Sequence, residues 1–452
     1  MNRRHFLMGS AAALSAASSV FGSPNDTVRV ACIGVGGHNK TLGGRGKDHI
    51  NGYSRLENVE VAAICDPDQT HLDYGVQLAE KAHGKKPQAY TDVRKLLEDG
   101  SIDAISIATP NHWHALITIW GCQAGKDVYV EKPCTHNMFE VKQIVAAARK
   151  YNRMVQQGSQ IRSSVAVQEG VQKMRDGLIG DVYLSRGLCF KWRDTIGRAP
   201  VQPVPPGVDY DLWTGPAPRH DFTMNRFHYN WHWFWDYGNG DLGNQGIHEV
   251  DVARWGLGVR YPVTVSAIGG HFMFDDDQET PNTLNCAFQY DLPGGKRKML
   301  EFEVRHWITD REAEIGGVEM GGEKGDLNTY GDIFFGSKGY LAIGNEDMAN
   351  PYLTWLGKEQ TPGPSRGPEA GHHYANFIDC VRSRKKEDLN APIEEGHIST
   401  TLMHLANASY RLGRTLNFDA ETEQVIGDDE ANRLLRDADR GYRAPFVMPE
   451  EV

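Results

Sequence analysis

The sequence predicts an α/β protein of two domains, the first built on a doubly wound parallel sheet and the second on a large, mostly antiparallel open sheet. A chain of 452 residues is long for a single hydrophobic core. Up to residue 157, short apolar runs alternate with helix-like stretches, as in repeated βαβ units. Beyond that point, strand-like runs with polar–apolar alternation dominate, which favours an antiparallel sheet with one covered face.

The first domain is assigned to residues 27–157. Its strand candidates are apolar on both faces, as buried parallel strands are; they are 27–35, 59–66, 104–109, 127–133 and 153–158. Helix candidates lie between them, at 71–83, 92–100, 114–125 and 138–151. In such sheets ligands bind at the carboxyl ends of the strands. We therefore expect the functional residues of this domain in the loops that follow its strands.

The second domain is assigned to residues 158–420, and residues 421–452 form a C-terminal tail. Its strand candidates are 181–192, 262–274, 282–292, 297–307 and 332–344. Helices are predicted over 165–180, 372–384 and 394–414, and the late helices within 371–412 could pack back on the first domain. The loops around 195–225 and 310–330 are expected to shape specificity.

The composition limits the possible partners. A net charge of −11 argues against nucleic acid and anionic membrane surfaces. Apart from the N-terminal segment, no stretch is apolar enough to suggest stable insertion of the mature protein into a membrane. The seven cysteines include no CxxC pair and no metal-like spacing, so we expect buried free thiols and no metal centre.

Residues 1–23 resemble a twin-arginine export signal. Arg3 and Arg4 precede Phe6 and Leu7, and a weakly hydrophobic Ala/Ser/Gly run follows. The alternative is a disordered basic start. The resemblance implies a periplasmic or secreted protein that is exported folded, a route on which a cofactor often travels already bound.

A glycine-rich turn after the first strand predicts dinucleotide binding. Gly34 and Gly36 begin a G-x-G pattern, but Asn39 takes the place of its third glycine. Asp66, which ends the second strand candidate, lies thirty residues after Gly36 but twenty after Gly46, so an insertion before Gly46 would restore the usual distance to the ribose-binding acid. An acid there favours NAD over NADP. A structural turn or another nucleotide-like ligand remains as the alternative.

A charged pair stands where the strand 127–130 ends. Glu131 and Lys132 follow it directly, and Pro133 prevents the strand from continuing as an interior member of the sheet. The pair therefore lies where parallel sheets bind their ligands. The side chains of neighbouring residues at a strand end point to opposite sides, so a salt bridge between Glu131 and Lys132 is disfavoured.

Three motifs together resemble the Gfo/Idh/MocA oxidoreductases. They are TPNHWHA (109–115), EKP (131–133) and GNGDLGNQGIHEVDVARW (238–255), and the resemblance covers nearly all of the chain after the signal. It implies a Rossmann domain, NAD as the cofactor, a carbohydrate or polyol substrate, and a homo-oligomer, either a dimer or a tetramer. The cofactor-binding residues it implies are Gly34, Gly36, Gly37, Gly46, Asp66, Thr109, Pro110, Asn111, His114, Glu131 and Lys132.

The resemblance also implies catalytic residues. Lys132 matches the lysine that reaches the reacting hydroxyl, and Pro133 matches a bend that is often a cis bond. The second family motif, D-x-G-x-H, reads Asn244-Gln245-Gly246-Ile247-His248 here. Residues four apart share a helix face, so Asn244 and His248 are expected together, with His248 as the general base. Asparagine cannot raise the basicity of a neighbour as a carboxylate does, which puts an ordinary dehydrogenase cycle in doubt.

An aromatic segment, 226–241, suits the apolar face of a sugar ring, although core packing explains it equally well. The predicted substrate-binding residues are Lys132, Arg162, Trp231, Trp235, Asn244 and His248. His112 and His114 have H-x-H spacing, but no third and fourth ligand accompanies them, so a cofactor-side loop is preferred over zinc. His372 and His373 stay ambiguous.

The sequence predicts an exported, NAD-dependent oxidoreductase that transfers hydride between a secondary alcohol of a sugar or polyol and a tightly bound cofactor. Two alternatives stay open. An NAD-dependent glycoside hydrolase would oxidise C3 transiently, eliminate the aglycone, add water and re-reduce. A non-catalytic sugar or nucleotide sensor would keep the fold, but it would need neither Lys132 nor His248.

Overall fold

The computed structural model of the protein describes residues 27–38, 41–42, 44–307, 312, 315, 328–344, 350–437 and 440–452. The predicted export signal, residues 1–23, lies outside the described residues, as do Asn39 and most of the loop 310–330. Among the helices that are described, none combines the length and the apolar character needed to cross a bilayer.

The first domain contains a parallel sheet of six strands in the order β5-β4-β1-β6-β7-β8. Its strands, together with a two-stranded hairpin, are β1 (Val28–Ile33), β2 (Gly37–His38), β3 (Thr41–Leu42), β4 (Val59–Cys65), β5 (Gln88–Tyr90), β6 (Ala104–Ile107), β7 (Asp127–Val130) and β8 (Val155–Gln157). Its helices are α1 (Arg45–Tyr53), α2 (Gln69–His83), α3 (Val93–Leu97), α4 (Asn111–Gln123) and α5 (Met138–Lys150). The predicted doubly wound sheet is confirmed, with β5 as an edge strand that was not predicted from the sequence.

The apolar character of β1 on both faces follows from helices on both sides of the sheet. Ala31 and Ile33 pack with residues of α4 and α5, whereas Val30 and Cys32 pack with residues of α1 and α2. Burying both faces removes apolar surface from water on each side, at roughly 25 cal/mol per Å². All seven cysteine thiols are buried and free, as predicted.

The second domain contains a sheet of ten strands in the order β16-β15-β14-β13-β9-β12-β11-β10-β17-β18. The strands are β9 (Val182–Phe190), β10 (Thr264–Gly270), β11 (Thr283–Asp291), β12 (Arg297–Arg305), β13 (Thr329–Gly336), β14 (Gly339–Gly344), β15 (Tyr352–Leu356), β16 (Thr361–Pro362), β17 (Leu416–Asp419) and β18 (Gln424–Val425). The helices are α6 (Val165–Arg175), α7 (Tyr210–Thr214), α8 (Gly240–Asn244), α9 (Gly246–Leu257), α10 (His373–Ser383), α11 (Ile393–Leu412) and α12 (Asp429–Leu435). The pairing is antiparallel except between β9 and β12.

One face of this sheet is covered by α9 and α11, which contribute Ile247, Val250 and Leu402 to its core. The other face is open, and it exposes apolar side chains such as Ile268, at 75%. The prediction of a mostly antiparallel sheet with one covered face is therefore confirmed.

Residues 196–237, here called the aromatic cap, form a small core of their own. Tyr210, Trp213, Phe222, Phe227 and Tyr237 are buried against one another in it. The cap is tied to the first domain by main-chain bonds, from the Gln69 amide to Gly207 and from the Asp209 amide to Pro67. It thus covers the carboxyl ends of the parallel strands.

Two late segments of the chain pack on the first domain. Phe377 and Ile378 of α10 join its core on the side of α1 and α2. The C-terminal residues 440–452 are also packed: Phe446 and Met448 are buried against the side of α4 and α5. Arg443 donates to Asp211 over 2.7 Å and so connects this segment to the aromatic cap.

The insertion predicted in the glycine-rich turn is the hairpin β2–β3, and α1 begins at Arg45 directly after it. Gly46 therefore lies in the first turn of α1, against β1. A Cβ atom on Gly46 would lie 2.0 Å from the carbonyl oxygen of Gly34. This glycine is needed for close packing of helix and strand, which explains why its spacing to Asp66 matches the fingerprint.

Replacing Gly46 with alanine is expected to push α1 away from β1 and distort the glycine-rich turn. Overpacking of this kind costs about 1–3 kcal/mol, so the affinity for NAD should fall roughly tenfold to a hundredfold in a calorimetric titration. Gly100→Ala is the matched control, because a Cβ there would meet no atom within 4 Å. Unchanged NAD affinity and melting temperature in Gly46→Ala would show that this packing explanation is wrong.

Candidate active site

A single cavity of about 310 Å³ joins the glycine-rich turn, the carboxyl ends of the parallel strands and the aromatic cap. Most of the residues predicted from the sequence line it: Gly34, Gly36, Gly37, Asp66, Thr109, Pro110, Asn111, His114, Glu131, Lys132, Trp231 and Asn244. Four predicted residues are described by the structure but do not belong to the described lining of the cavity: Gly46, Arg162, Trp235 and His248. The site is thus assembled from both domains.

The glycine-rich turn leaves room for a dinucleotide. Gly34 has a φ of +81°, and a Cβ on it would lie 2.8 Å from the main chain at Ala108. Gly36 has a φ of +52°, and a Cβ on it would meet no described atom within 4 Å. The N-terminus of α1 has no side-chain cap, and its N-cap residue Gly44 and first residue Arg45 line the cavity. A helix N-terminus with an arginine beside it suits a pyrophosphate.

Asp66 holds this turn in place. Its Oδ2 accepts hydrogen bonds from the amides of Val35 (2.7 Å) and Gly36 (3.2 Å), and its Oδ1 accepts from the amide of Asp68 (2.9 Å). Burial raises the pKa of Asp66, and these bonds oppose that shift. The carboxylate lines the cavity, where the predicted contact with a ribose stays a prediction, but its visible role is to fix the main chain of the turn.

Replacing Asp66 with asparagine is expected to lower the affinity for NAD by roughly tenfold to a hundredfold, because an NH2 group would replace one of the two oxygens that accept from the Val35, Gly36 and Asp68 amides. No compensating gain in NADP affinity is expected, since the turn itself is disturbed. Titrating both cofactors into Asp66→Asn, with the exposed Asp73→Asn as the control, measures this. Tighter NADP binding by the Asp66 variant would instead show that selectivity against the 2′-phosphate is the main role.

Glu131 is the centre of a buried hydrogen-bond network. His49 Nε2 lies 3.1 Å from Glu131 Oε1, and its Nδ1 lies 2.8 Å from the Ser106 hydroxyl. Gln160 donates to the same carboxylate over 2.7 Å. Burial would raise the pKa of Glu131, but the bond from His49 and the charge of Arg45 hold it well below its usual range. Glu131 therefore carries a fixed negative charge beside Lys132.

Lys132 reaches across the cavity to the second domain. Its peptide bond to Pro133 is cis, and its Nζ donates to the main-chain carbonyl of Asn244 at the end of α8. Burial, together with the charges of Arg45 and Lys191, lowers the pKa of Lys132 to about 8, against the opposing charge of Glu131. An amine with this pKa can both donate and accept a proton near neutral pH.

His114 contacts the main chain of the loop that carries this lysine. Its Nδ1 lies 2.6 Å from the carbonyl of Pro133, and its Nε2 lies 2.8 Å from the carbonyl of Thr109. It thus connects the TPN loop to the EKP loop. His112 is held by the cap instead, with Nε2 3.1 Å from the carbonyl of Trp213.

A carboxylate, Asp241, lies one helical turn before Asn244, the position where the family motif has its aspartate. The Asn244 side chain donates to Asp241 Oδ1 over 3.1 Å. Arg193 contacts Asp241 with both of its nitrogens Nε (2.8 Å) and Nη2 (3.0 Å), and His306 Nε2 lies 2.8 Å from it. Burial would raise the pKa of Asp241, but Arg193 and His306 hold it well below its usual range. Neither Asp241 nor Arg193 was predicted from the sequence, although Asp241 stands in the quoted motif.

Asn244 lines the cavity, whereas His248 does not appear in the described lining, so the expectation that both project into one site stays a prediction. The helix is interrupted between them, because α8 ends at Asn244 and α9 begins at Gly246. His248 is 8% exposed, and its Nδ1 has no hydrogen-bond partner among the described residues. Burial and the charges of Lys132 and Arg45 hold its pKa well below its usual range. His248 is thus a neutral imidazole near Lys132, and its role as a base stays a prediction.

The aromatic segment contributes to both the core and the cavity. Trp231 and His232 line the cavity and stack on each other, with ring centroids 3.6 Å apart. Burial and the charge of Lys132 lower the pKa of His232 to about 3, although its bond to the Tyr229 carbonyl opposes this. Trp235 packs on Arg411 instead, 4.9 Å from the ring centroid. The wall of the site is therefore Trp231 and His232, not Trp235.

Arg162 is placed in the core rather than in the cavity. It donates to Asp251 over 2.6 and 2.8 Å and lies 3.4 Å from Glu395. The guanidinium is 6% exposed. This arginine neutralises an acid that α9 buries, and its predicted role in substrate binding stays a prediction.

The fold and the site together define a dinucleotide-binding protein with a second domain that completes the cavity. A model of an oxidoreductase family with an NAD-binding Rossmann fold matches residues 28–159, and the model of that family's C-terminal alpha/beta domain matches residues 165–272 and 364–446. The chain belongs to the Gfo/Idh/MocA oxidoreductase family, and its first domain is an NAD-binding Rossmann domain.

Proteins of similar sequence include two from Shewanella species. An α-N-acetylgalactosaminidase of Shewanella oneidensis is 32% identical over 213 residues, which are 40% of this chain and 44% of that protein. A glycosyl hydrolase family 109 protein of Shewanella pealeana is 32% identical over 212 residues, again 40% of this chain and 44% of that protein. The match thus spans less than half the length of these relatives.

Solved structures of low sequence identity share the fold. A levoglucosan dehydrogenase in complex with NADH and L-sorbose has a TM-score of 0.63 at 16% identity, covering 87% of this chain and 99% of that one. The aldose–aldose oxidoreductase of Caulobacter crescentus, complexed with glycerol, has a TM-score of 0.62 at 18% identity, covering 87% of this chain and 100% of that one.

Proposed function

We propose that the protein is an NAD-dependent enzyme that acts on a secondary alcohol of a carbohydrate. The observation that carries this proposal is the position of Lys132, whose Nζ stands in the same cavity as the glycine-rich turn and the Trp231 wall. A cavity that combines a dinucleotide turn, an amine with a pKa near 8 and an aromatic face suits oxidation of a sugar hydroxyl.

The residues of the chain take distinct roles in this proposal. NAD, when bound, supplies the hydride acceptor, and Gly34, Gly36 and Arg45 would hold it. Lys132 binds the reacting hydroxyl and takes its proton while neutral, or stabilises the alkoxide while charged. Glu131 and His114 keep the lysine aimed at that hydroxyl. Trp231 packs on the C–H face of the sugar ring.

A second candidate is hydrolysis of a glycosidic bond through transient oxidation, with no net redox change. The observation that favours it is the aromatic cap, which is tied to the first domain through Gln69, Asp209 and Trp113. A cap fixed in this way retains its cofactor, and a retained cofactor must be regenerated within each turnover. The names of the Shewanella relatives also support this candidate.

One experiment separates the two candidates. Protein purified with its native cofactor is mixed with free sugars and with aryl glycosides, while absorbance at 340 nm and aglycone release are followed. A lasting rise at 340 nm with a free sugar supports a dehydrogenase. Full release of the aglycone without a lasting rise supports the hydrolase. Binding of NAD without either reaction would support the sensor, and a protein that neither carries nor binds NAD would contradict the proposal.

We also propose that the protein is exported folded and assembles as a homo-oligomer. The twin-arginine pattern supports export. The exposed Ile268 on the open face of the second sheet, with the exposed Phe272 and Met273 in the loop after β10, supports assembly. Cell fractionation of the full-length protein beside an Arg3→Lys/Arg4→Lys variant tests the first point. Light scattering of the purified protein tests the second, with a monomer at micromolar concentration as the contrary result.

A further inference from the structure

Two histidines and an aspartate meet where the aromatic cap crosses the first domain. Asp68 precedes α2, His71 lies in the first turn of α2, and His228 belongs to the cap. One possible ligand atom from each residue lies within 4.8 Å of the others. Asp68 Oδ2 is 3.1 Å from His228 Nε2 and 3.8 Å from His71 Nε2. The two rings are 4.4 Å apart between centroids.

The facing atoms of this cluster contact one another: Asp68 Oδ2 and His228 Nε2 lie within hydrogen-bond distance, and a bound ion would replace that contact. Asp68 uses Oδ1 to cap α2, accepting from the Thr70 amide over 2.9 Å, which leaves Oδ2 facing the two imidazoles. His71 is 5% exposed, and its Nδ1 has no hydrogen-bond partner among the described residues. Its Nε2, at 3.8 Å from Asp68, is too distant for a hydrogen bond. A buried imidazole nitrogen without a hydrogen-bond partner lowers the free energy of unfolding unless a further group binds it.

The two separations from Asp68 are close to those of ligands around a small divalent ion, and the third, between His71 and His228, lies within 4.8 Å. Bonds of about 2.0–2.1 Å in a tetrahedral site place neighbouring ligand atoms roughly 3.3 Å apart. The distances of 3.1 and 3.8 Å lie on either side of this value. Two imidazole nitrogens and one carboxylate oxygen form a set that suits zinc. Asp68 and His228 line the cavity, so a fourth position can face it.

We propose that Asp68, His71 and His228 form a site for a divalent transition-metal ion of the zinc class, which clamps the aromatic cap to the first domain. The site does not rest on the proposed function, because it is argued only from the three side chains and their separations. Sequence spacing concealed it, since His228 is remote from the other two ligands. The clamp would hold the cap over the end of the cavity that is formed by Asp66 and Pro67.

The test is metal binding by the full-length protein after removal of metal with a chelator. Zn²⁺ is titrated in competition with a chromophoric chelator, and Co²⁺ is added separately to record its ligand-field absorption. We expect one ion per chain and tetrahedral Co²⁺ bands. His71→Gln and His228→Gln should each weaken binding at least about a hundredfold. His220→Gln is the matched control, because His220 is also in the cap and pairs with one aspartate, Asp236, over 2.6 Å.

Thermal unfolding shows whether a variant has simply failed to fold. Zn²⁺ should raise the melting temperature of the wild type and of His220→Gln by a few degrees, and should leave that of His71→Gln unchanged. Without metal, the wild type and His71→Gln should melt within about 2 °C of each other. Absence of stoichiometric binding at about 100 µM Zn²⁺ would overturn the proposal. The contact between His228 and Asp68 would then be a hydrogen bond between the cap and the first domain, without a metal ion. Equal affinity of His71→Gln and wild type would overturn the proposal as well.

Discussion

Replacing Lys132 with methionine is expected to lower kcat by about 10²- to 10⁴-fold, the usual effect of removing a group that transfers a proton in the transition state. Methionine keeps the length and packing of the side chain but cannot hydrogen-bond to the reacting hydroxyl. NAD affinity should change little, because the glycine-rich turn is built by other residues. Steady-state kinetics on the substrate found by the sugar panel, with NAD titration in parallel, measures both quantities.

The pH dependence distinguishes the two possible states of Lys132. With a pKa of about 8, the amine is mostly charged at pH 7 and mostly neutral at pH 9. If the neutral amine accepts the proton, kcat/KM rises with pH and levels off above about pH 8. Lys132→Arg, which stays charged, should then be as inactive as the methionine variant. A rate that falls through pH 8 would instead assign the charged amine as a donor.

Lys142→Met is the control for this series. Lys142 is half exposed and contacts Thr422 and Glu423 away from the cavity. Its kcat and pH profile should equal those of the wild type. If Lys132→Met kept more than about a tenth of the wild-type kcat, Lys132 would be a binding residue, and His248 or His232 would have to take the proton.

Replacing Asp251 with alanine is expected to destabilise the protein by about 3–5 kcal/mol, because it removes the acid from a buried ion pair. Arg162 donates to Asp251 twice, and Ser399 donates to it over 2.5 Å. Without the carboxylate, the Arg162 charge keeps Glu395, at 3.4 Å, as its acidic partner among the described residues. Urea unfolding followed by fluorescence measures the loss.

Arg162→Met should cost a comparable amount on its own, whereas the double variant Arg162→Met/Asp251→Leu should cost less than either, because no buried charge is left without its partner. The exposed pair of Lys95 and Glu98 is the control, and Lys95→Met should change stability by about 0–1 kcal/mol. A large increase in KM in Arg162→Met, with unchanged stability, would restore the sequence-based assignment of Arg162 to the substrate.

Many strands and helices of both domains could be predicted from the sequence because their signals are local, although β15, β17 and α12 were missed and the predicted strand 332–344 is the pair β13 and β14. Apolar runs on both faces marked β1, β4, β6 and β7, and the glycine spacing marked the turn that receives a dinucleotide. Lys132 was located for the same reason, since it follows a strand whose carboxyl end faces the ligand in this fold. The edge strands β5, β16 and β18 are too short to carry such a pattern.

The composition of the active site could not be predicted in full, because it depends on where separate elements place their side chains. Lys132 and Arg162 both follow strands of the same sheet, yet Lys132 reaches the cavity and Arg162 pairs with an acid buried on α9. Asp241 is buried as a carboxylate because Arg193 and His306 contact it, and these two residues follow β9 and β12 of the second sheet.

The sequence by itself determined the fold family, the cofactor domain and the position of Lys132, since each depends on residues close together in the chain. Only the tertiary structure decided which polar side chains meet. It ended α8 at Asn244 and began α9 at Gly246, placed Trp235 on Arg411 outside the described lining of the cavity, and brought His228 beside Asp68 and His71. Contacts between remote residues depend on the packing of whole elements, and periodicity and spacing do not record that packing.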